Sequence, residues 1–136
     1  MIDLDEVNHT NRELELMLAG KKPLAMFYEE ISLLPDEEFI PEAKFAAHVN
    51  NGDFVRAETV VAGPYSEKLG RETEIKYVLF ALKNDAWRIQ AMILLLEQWV
   101  ISNQWNETCE RVMSALLGYT REEIDAWCNK RFPTAL

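Results

Sequence analysis

The stretch TEIKYVLFALKNDAWRIQAMI, residues 73–93, decides the fold class that we predict for this chain of 136 residues. Its two apolar halves, 73–82 and 86–93, contain β-branched and aromatic residues, and KND between them has turn chemistry. The stretch is therefore predicted to form a β-hairpin. FVRAETVV, residues 54–61, is predicted to be a further strand, and the glycine-containing segment 62–72 an exposed, mobile loop.

Outward from this hairpin, PLAMFYEE (residues 23–30) has the length and aromatic content of a strand, with Glu29 and Glu30 at its exit. Apolar residues at helical spacing predict helices over 3–19, 91–102 and 106–117, and Pro41 is expected to open a short helix through Val49. Thr120 and Glu123 have the spacing of a capping box that begins a last helix. The predicted fold is α+β: an antiparallel sheet of about four strands, in the order α-β-α-β-β-β-α-α, with helices packed mainly on one face.

Composition predicts one globular domain over residues 1–136. Hydrophobic residues make up 49% and charged residues 27% of the chain, as in folded proteins of ordinary size. The longest uncharged apolar run, residues 91–96, is much shorter than a membrane-spanning helix requires, so no membrane association is expected. The first residues are acidic and do not resemble a secretion signal, which predicts a cytoplasmic protein.

The usual signatures of metal and cofactor sites are missing from the sequence. The two histidines, His9 and His48, have no second ligand at helical spacing, and Cys109 and Cys128 belong to no CxxC motif. We therefore predict no metal and no cofactor. Whether the two cysteines pair, and whether the chain is an enzyme, stays open at this level, because catalytic groups can assemble from distant positions.

Negative charge is concentrated in the first part of the chain. The net charge is −9, and residues 1–60 hold 13 acids and 5 bases, against 10 acids and 9 bases in residues 61–136. Such a surface repels phosphates, which disfavours ordinary nucleic-acid binding, so no nucleic-acid partner is predicted. Residues 111–130 have the spacing of a helix-turn-helix, but Glu122, Glu123 and Asp125 would open its recognition helix, so a plain helical corner is the better interpretation.

The segment YEEISLLPDEEFIPE, residues 28–42, places six carboxylates among apolar residues. A solvated loop is the simplest interpretation of this pattern. The functional hypothesis is a regulatory or inhibitor-like accessory protein that contacts a protein partner, with basic proteins as one candidate class, because charge steers association and apolar side chains anchor it. The predicted partner-binding residues are Glu29, Glu30, Leu33, Asp36, Glu37, Glu38, Phe39 and Glu42.

Two alternatives remain open. In the first, the protein is a small enzyme or ligand-binding protein with a pocket between the sheet and the 62–72 loop, and its polar groups come from Tyr28, Glu30, His48, Arg56 and Arg88. In the second, the chain forms a homodimer through the helix over 91–102, which is more apolar than one sheet face can cover. Trp105 lies in a polar junction and is either a corner plug or an exposed interface anchor.

Overall fold

A computed structural model describes residues 2–31 and 40–133 and has an α+β architecture, as predicted. A short 3-10 turn, Lys83–Asp85, precedes the helix that begins at Trp87. No helix within the described ranges is long and apolar enough to cross a membrane. In chain order the elements are α1 (Leu4–Val7), α2 (Glu13–Leu18), β1 (Leu24–Ile31), α3 (Glu42–Asn50), β2 (Phe54–Ser66), β3 (Arg71–Leu82), α4 (Trp87–Ser102), α5 (Glu107–Leu116) and α6 (Arg121–Arg131).

The three strands form one antiparallel sheet in the order β1-β3-β2, so β3 is the central strand. Leu24 of β1 pairs with Ala81 of β3, and Phe54 of β2 pairs with Leu82. Residues 77–81 of β3 are all buried, with exposed fractions of 5% or less. A strand that is covered on both faces has no reason to alternate polar with apolar residues, and this explains the continuous apolar run that ends β3.

The helices cover both faces of the sheet, so the prediction that they pack mainly on one face is wrong. Successive strand residues point to opposite faces. Leu79 and its odd-numbered neighbours in β3 pack with Leu24 and with α4 and α5; we call this side the α4 face. Phe80 and its even-numbered neighbours pack with Met17 of α2 and Phe45 of α3 on the other side, the α3 face.

The predicted fourth strand is helical. Residues 87–93 form the first turns of α4, and Lys83–Asp85 is a 3-10 turn from strand to helix instead of a hairpin turn. Ile89, Met92 and Leu96 recur at three- and four-residue spacing and are buried on the sheet. This helical period decides the conformation, because burial of one apolar side outweighs the weak strand preference of the individual residues.

The segment 62–72 is not a mobile loop but the end of a long β-hairpin. β2 runs through Ser66 and β3 begins at Arg71, with a register irregularity between Ala62 and Tyr65. At this irregularity the buried Thr73 hydroxyl donates a hydrogen bond of 2.8 Å to the Pro64 carbonyl. A Cβ at Gly63 would lie 2.5 Å from the Thr73 Oγ1, so only glycine fits there.

The helix boundaries follow the sequence signals closely, with two differences. The helix predicted over 3–19 is two short helices, α1 and α2, separated by a turn in which Asn11 has a φ of 68°. The helix predicted over 91–102 begins four residues earlier, at Trp87. Other signals are confirmed: Gly20 follows α2 with positive φ, α3 spans Glu42–Asn50, and α6 begins with the complete capping box of Thr120 and Glu123.

Candidate functional site

The structure describes three of the eight predicted partner-binding residues, since Leu33, Asp36, Glu37, Glu38 and Phe39 lie outside the described ranges. Glu29 and Glu30 occupy the last part of β1, as predicted, and point to opposite faces of the sheet. Glu30 points to the α4 face and is exposed, whereas Glu29 is half-buried on the α3 face. Glu42 opens α3.

Glu42 belongs to a row of ion pairs on the α3 face. Its Oε1 accepts a 2.5 Å hydrogen bond from Arg56 Nε, and the same guanidinium reaches Glu58 at 3.1 Å. Lys76 Nζ lies 3.6 Å from the other oxygen of Glu58. The hydrogen bond from Arg56 lowers the pKa of Glu58, and the bond to Glu42 raises the pKa of Arg56. Glu42 is therefore less available to a partner than Glu29 or Glu30.

β1 lies at the edge of the sheet. It pairs with β3 along its whole length, and among the described residues no strand pairs with its other side. The second half of β1 is also exposed at side-chain level: Tyr28 is 66% and Ile31 39% accessible. An exposed edge offers backbone donors and acceptors to an added strand.

The five residues predicted for the alternative pocket do not converge. Tyr28 and Glu30 point to the α4 face, whereas Arg56 points to the α3 face. His48, near the end of α3, packs its ring 5.1 Å from that of Phe54. Arg88 pairs with Asp85 and donates to the carbonyls of Ala115 and Leu116. The strand alternation separates these groups, and residues 62–72, being hairpin, provide no lid for a pocket.

The structure instead forms a cavity of about 310 Å³ between α1, α5 and α6. Its apolar walls come from three helices. They are Leu4 and Val7 of α1, Met113 of α5 with Leu117 directly after it, and Ile124 and Trp127 of α6. Its polar groups are Asp5, Asn8, Glu110, Ser114, Tyr119, Glu123 and Lys130. Small-molecule sites are usually largely apolar with a few polar groups; this cavity has more polar groups than usual and is at the small end of the usual size range, about 300 to 1,000 Å³.

Glu110 is the carboxylate with the most fixed position in this cavity. Trp105 Nε1 donates to its Oε2 at 2.5 Å, and Trp127 Nε1 donates to its Oε1 at 2.8 Å. Arg131 Nε lies 3.6 Å from Oε2, and the Glu110 side chain is 16% exposed. Two indole donors hold both oxygens, so this negative charge is positioned in advance of any ligand. Trp105 also stacks edge-on against Trp99, with ring centroids 5.3 Å apart, and thus plugs the corner between α4 and α5.

Behind the cavity, His9, Lys22 and Tyr119 form a compact polar cluster. The Lys22 ammonium, in a side chain only 2% exposed, donates to His9 Nδ1 and to the Leu117 carbonyl, each at 2.9 Å. The His9 ring stacks on Tyr119 with centroids 3.8 Å apart, and its backbone N–H donates to the Tyr119 hydroxyl at 3.1 Å. The cluster thus ties the amino-terminal segment to the corner between α5 and α6.

Burial shifts the pKa of each of these three groups. It lowers the pKa of Lys22 to about 8, and burial together with the Lys22 charge lowers the pKa of His9 to about 4. Burial also raises the pKa of Tyr119. A neutral His9 can accept the hydrogen bond from Lys22, whereas an imidazolium would place two cations side by side.

Sequence reasoning did not identify the cavity or this cluster. His9 and Tyr119 are 110 positions apart, and Lys22 and Leu117 are 95 apart. No local spacing connects such residues, so only the folded chain shows that they meet. Within residues 2–31 and 40–133 no group of three or more His, Cys, Asp or Glu side chains could hold a metal ion. Cys109 and Cys128 are free thiols.

Comparison with known proteins found no matching family model, no matching curated protein and no matching solved structure. The function of this chain is therefore inferred from its own residues and their geometry.

Proposed function

We propose that this chain is a small cytoplasmic accessory protein, regulatory or inhibitor-like, that binds a basic segment of another protein through the second half of β1. The observation that carries the proposal is the exposed edge of β1, which has two carboxylates just before its last residue, on opposite faces of the sheet.

An extended segment that pairs with β1 would gain backbone hydrogen bonds along the strand and specificity from side chains on alternate faces. Lysine or arginine residues at neighbouring positions of that segment would face Glu29 on one side and Glu30 on the other. Tyr28 and Ile31 supply the apolar contact, since they are the exposed large side chains of this half of β1. The overall charge of −9 adds long-range attraction for a basic partner.

Charge reversal with a matched control tests the proposal. Glu29→Lys with Glu30→Lys changes the net charge from −9 to −5, since each change adds two units, and Glu67→Lys with Glu122→Lys does the same at exposed sites elsewhere. Proteins captured by the wild type and by the control, but not by the β1 variant, are partners of the β1 edge. Hydrogen exchange on the purified complex should then show protection of the β1 amides.

Two results would count against this interpretation. In one, the two double variants lose the same proteins, which means that net charge alone governs capture. In the other, a captured partner protects amides elsewhere and leaves those of β1 exchanging at the free rate.

A second function, ligand binding, is favoured by the cavity between α1, α5 and α6. Asp5, Glu110 and Glu123 face it with one lysine, Lys130, and its walls are apolar. This combination suits a small organic cation: an ammonium group directed to Glu110, and an apolar body against Trp127 and Met113. In this proposal the ligand site is separate from the β1 edge, so both functions can hold.

Three probes of similar size test the ligand class: phenethylammonium, the neutral phenethyl alcohol and the anionic phenylacetate. We expect only phenethylammonium to bind, measured by chemical-shift changes at the Trp127 indole N–H. Glu110→Gln should weaken this binding at least about tenfold, because a charged hydrogen bond becomes neutral. Glu107→Gln, which changes an exposed partner of Arg111 on the same helix, is the control. Equal binding of the alcohol, or equal loss in both variants, would contradict the assignment.

We also propose that the chain associates with a second copy of itself, because the solvent side of α4 exposes large apolar side chains.

A further inference from the structure

The solvent side of α4 carries large apolar side chains at regular intervals. Trp87 is 59%, Leu94 56% and Ile101 79% exposed, and the three are spaced seven residues apart. Seven residues are close to two helical turns, so these side chains form one stripe, opposite the buried Met92 and Leu96. A helix that covers a sheet normally presents polar residues to solvent on this side.

The stripe is self-complementary about its centre. Leu94 lies midway between Trp87 and Ile101, and the positions four residues before and after it are both glutamine, Gln90 and Gln98. If two copies of α4 pack antiparallel with a two-fold axis at Leu94, Leu94 meets its own copy and Trp87 meets Ile101. Each Gln90 then meets a Gln98, and two amides can both donate and accept. A two-fold interface requires this kind of self-complementary pattern.

The scarcity of charge along α4 makes this surface the one where a second copy meets little electrostatic repulsion. Two chains of net charge −9 repel each other wherever acids face acids. Along α4 the only charged residues are Arg88 and Glu97, and Arg88 already pairs with Asp85 and lies 4.7 Å from the Trp87 ring. In the antiparallel arrangement Glu97 meets Ala91, so the two Glu97 side chains do not oppose each other.

From these observations we infer that the protein forms a homodimer through α4, packed antiparallel about a two-fold axis at Leu94. Both core clusters form within one chain, so we expect a folded monomer and a reversible dimer. A helix of 16 residues is about 24 Å long and about 10 Å wide, so the contact buries less than a standard specific interface and the dimer is weak. We expect a dissociation constant of tens of micromolar, roughly 10 to 100 µM.

Sedimentation equilibrium from about 10 µM to about 1 mM measures this association. The wild type should rise from 15.8 kDa towards twice that mass with increasing concentration. Leu94→Glu should weaken the dimer at least about tenfold, because it places two carboxylates on the axis. Leu18→Glu, at an equally exposed leucine of α2 (55%), should dimerise as the wild type does. A wild type that stays monomeric at the highest concentration, or a Leu94→Glu variant that dimerises normally, would overturn the inference.

A second pair of variants tests the antiparallel register. Gln90→Lys with Gln98→Glu places the introduced lysine of each copy against the introduced glutamate of the other, and should tighten the dimer. Gln90→Glu with Gln98→Glu places acids together at both contacts and should weaken it, so that the two differ by about tenfold or more. Parallel packing would bring lysine against lysine in the first variant. Weakening of both variants would therefore refute the proposed geometry.

Discussion

Lys22 is the residue on which the arrangement of the amino-terminal segment most depends. Its ammonium bonds to His9 and to the carbonyl that ends α5, in surroundings that exclude water. A buried lysine is stable only when its donors find acceptors, and here one acceptor is 13 positions and the other 95 positions away in the chain. Gly118 directly follows Leu117 at the same corner. A Cβ at this position would overlap the Cδ of Pro23, so the close approach of the two segments requires a glycine here.

His9 should make stability depend on pH below neutrality. Its pKa is about 4 in the folded chain and 6.5 as its ordinary value, so between these pH values the unfolded chain binds more protons. The His9 contribution is present above pH 6.5 and is lost as the pH falls towards 4. Because the ring is only partly buried and water screens its charge, the loss is expected to be only about 1 kcal/mol. Urea unfolding of His9→Gln at pH 7 and pH 4.5 measures it, with His48→Gln as control. An equal pH dependence in wild type and His9→Gln would contradict the prediction.

Gly118→Ala should destabilise the protein more than a glycine substitution in open space. Gly118 has a φ of 95° and contacts Pro23, whereas Gly70 has a φ of 65° and a Cβ added there would have no atom within 4 Å. Gly70→Ala should lower the free energy of unfolding by about 1 kcal/mol, the penalty of positive φ alone. Gly118→Ala should cost at least about 1 kcal/mol more, because Pro23 must move as well. Thermal unfolding of both variants measures their losses of stability. Equal losses in the two variants would show that Pro23 moves aside without a measurable energetic penalty.

At the scale of elements, local signals are sufficient for α6 and insufficient for α4. The capping box of α6 lies within four consecutive residues, and the structure contains both of its hydrogen bonds. The first turns of α4 have β-branched and aromatic residues that would also suit a strand. Their helical state depends on packing against β2, β3 and α5, which no local pattern contains.

Thr120→Ala should lower the free energy of unfolding by about 0.5 to 2 kcal/mol, since the Glu123 backbone N–H loses its acceptor. Thr120→Ser keeps the hydroxyl and should recover most of this loss. Denaturant titration of the two variants beside the wild type measures both effects. If serine and alanine were equally destabilising, packing of the threonine methyl group, and not the cap, would be responsible.

At the scale of the whole molecule, β3 joins the two cores. Leu79 points to the α4 face and Phe80 to the α3 face, and neither is more than 1% exposed. A substitution that loosens β3 on one face therefore also weakens the packing on the other face. The two layers of helices should unfold together as one cooperative unit.

Phe80→Ala tests this cooperativity. It should lower the free energy of unfolding by about 3 to 5 kcal/mol, as expected for a buried phenylalanine. All four tryptophans lie at positions 87, 99, 105 and 127, in or beside α4, α5 and α6. Tryptophan fluorescence therefore reports helices away from the altered α3 face, and its urea midpoint should shift together with that of far-ultraviolet circular dichroism. A fluorescence midpoint that stayed at the wild-type value would show that the two cores unfold separately.

The sequence alone determined the α+β class, the apolar strand that ends at Leu82 and most helix ends, because these depend on residues a few positions apart. It also placed Glu29 and Glu30 at the exit of β1. Only the tertiary structure decided that residues 87–93 are helical, that helices cover both faces, and that His9, Lys22 and Tyr119 meet beside a cavity. These features arise from contacts between residues far apart in the chain, and such contacts exist only after the chain has folded.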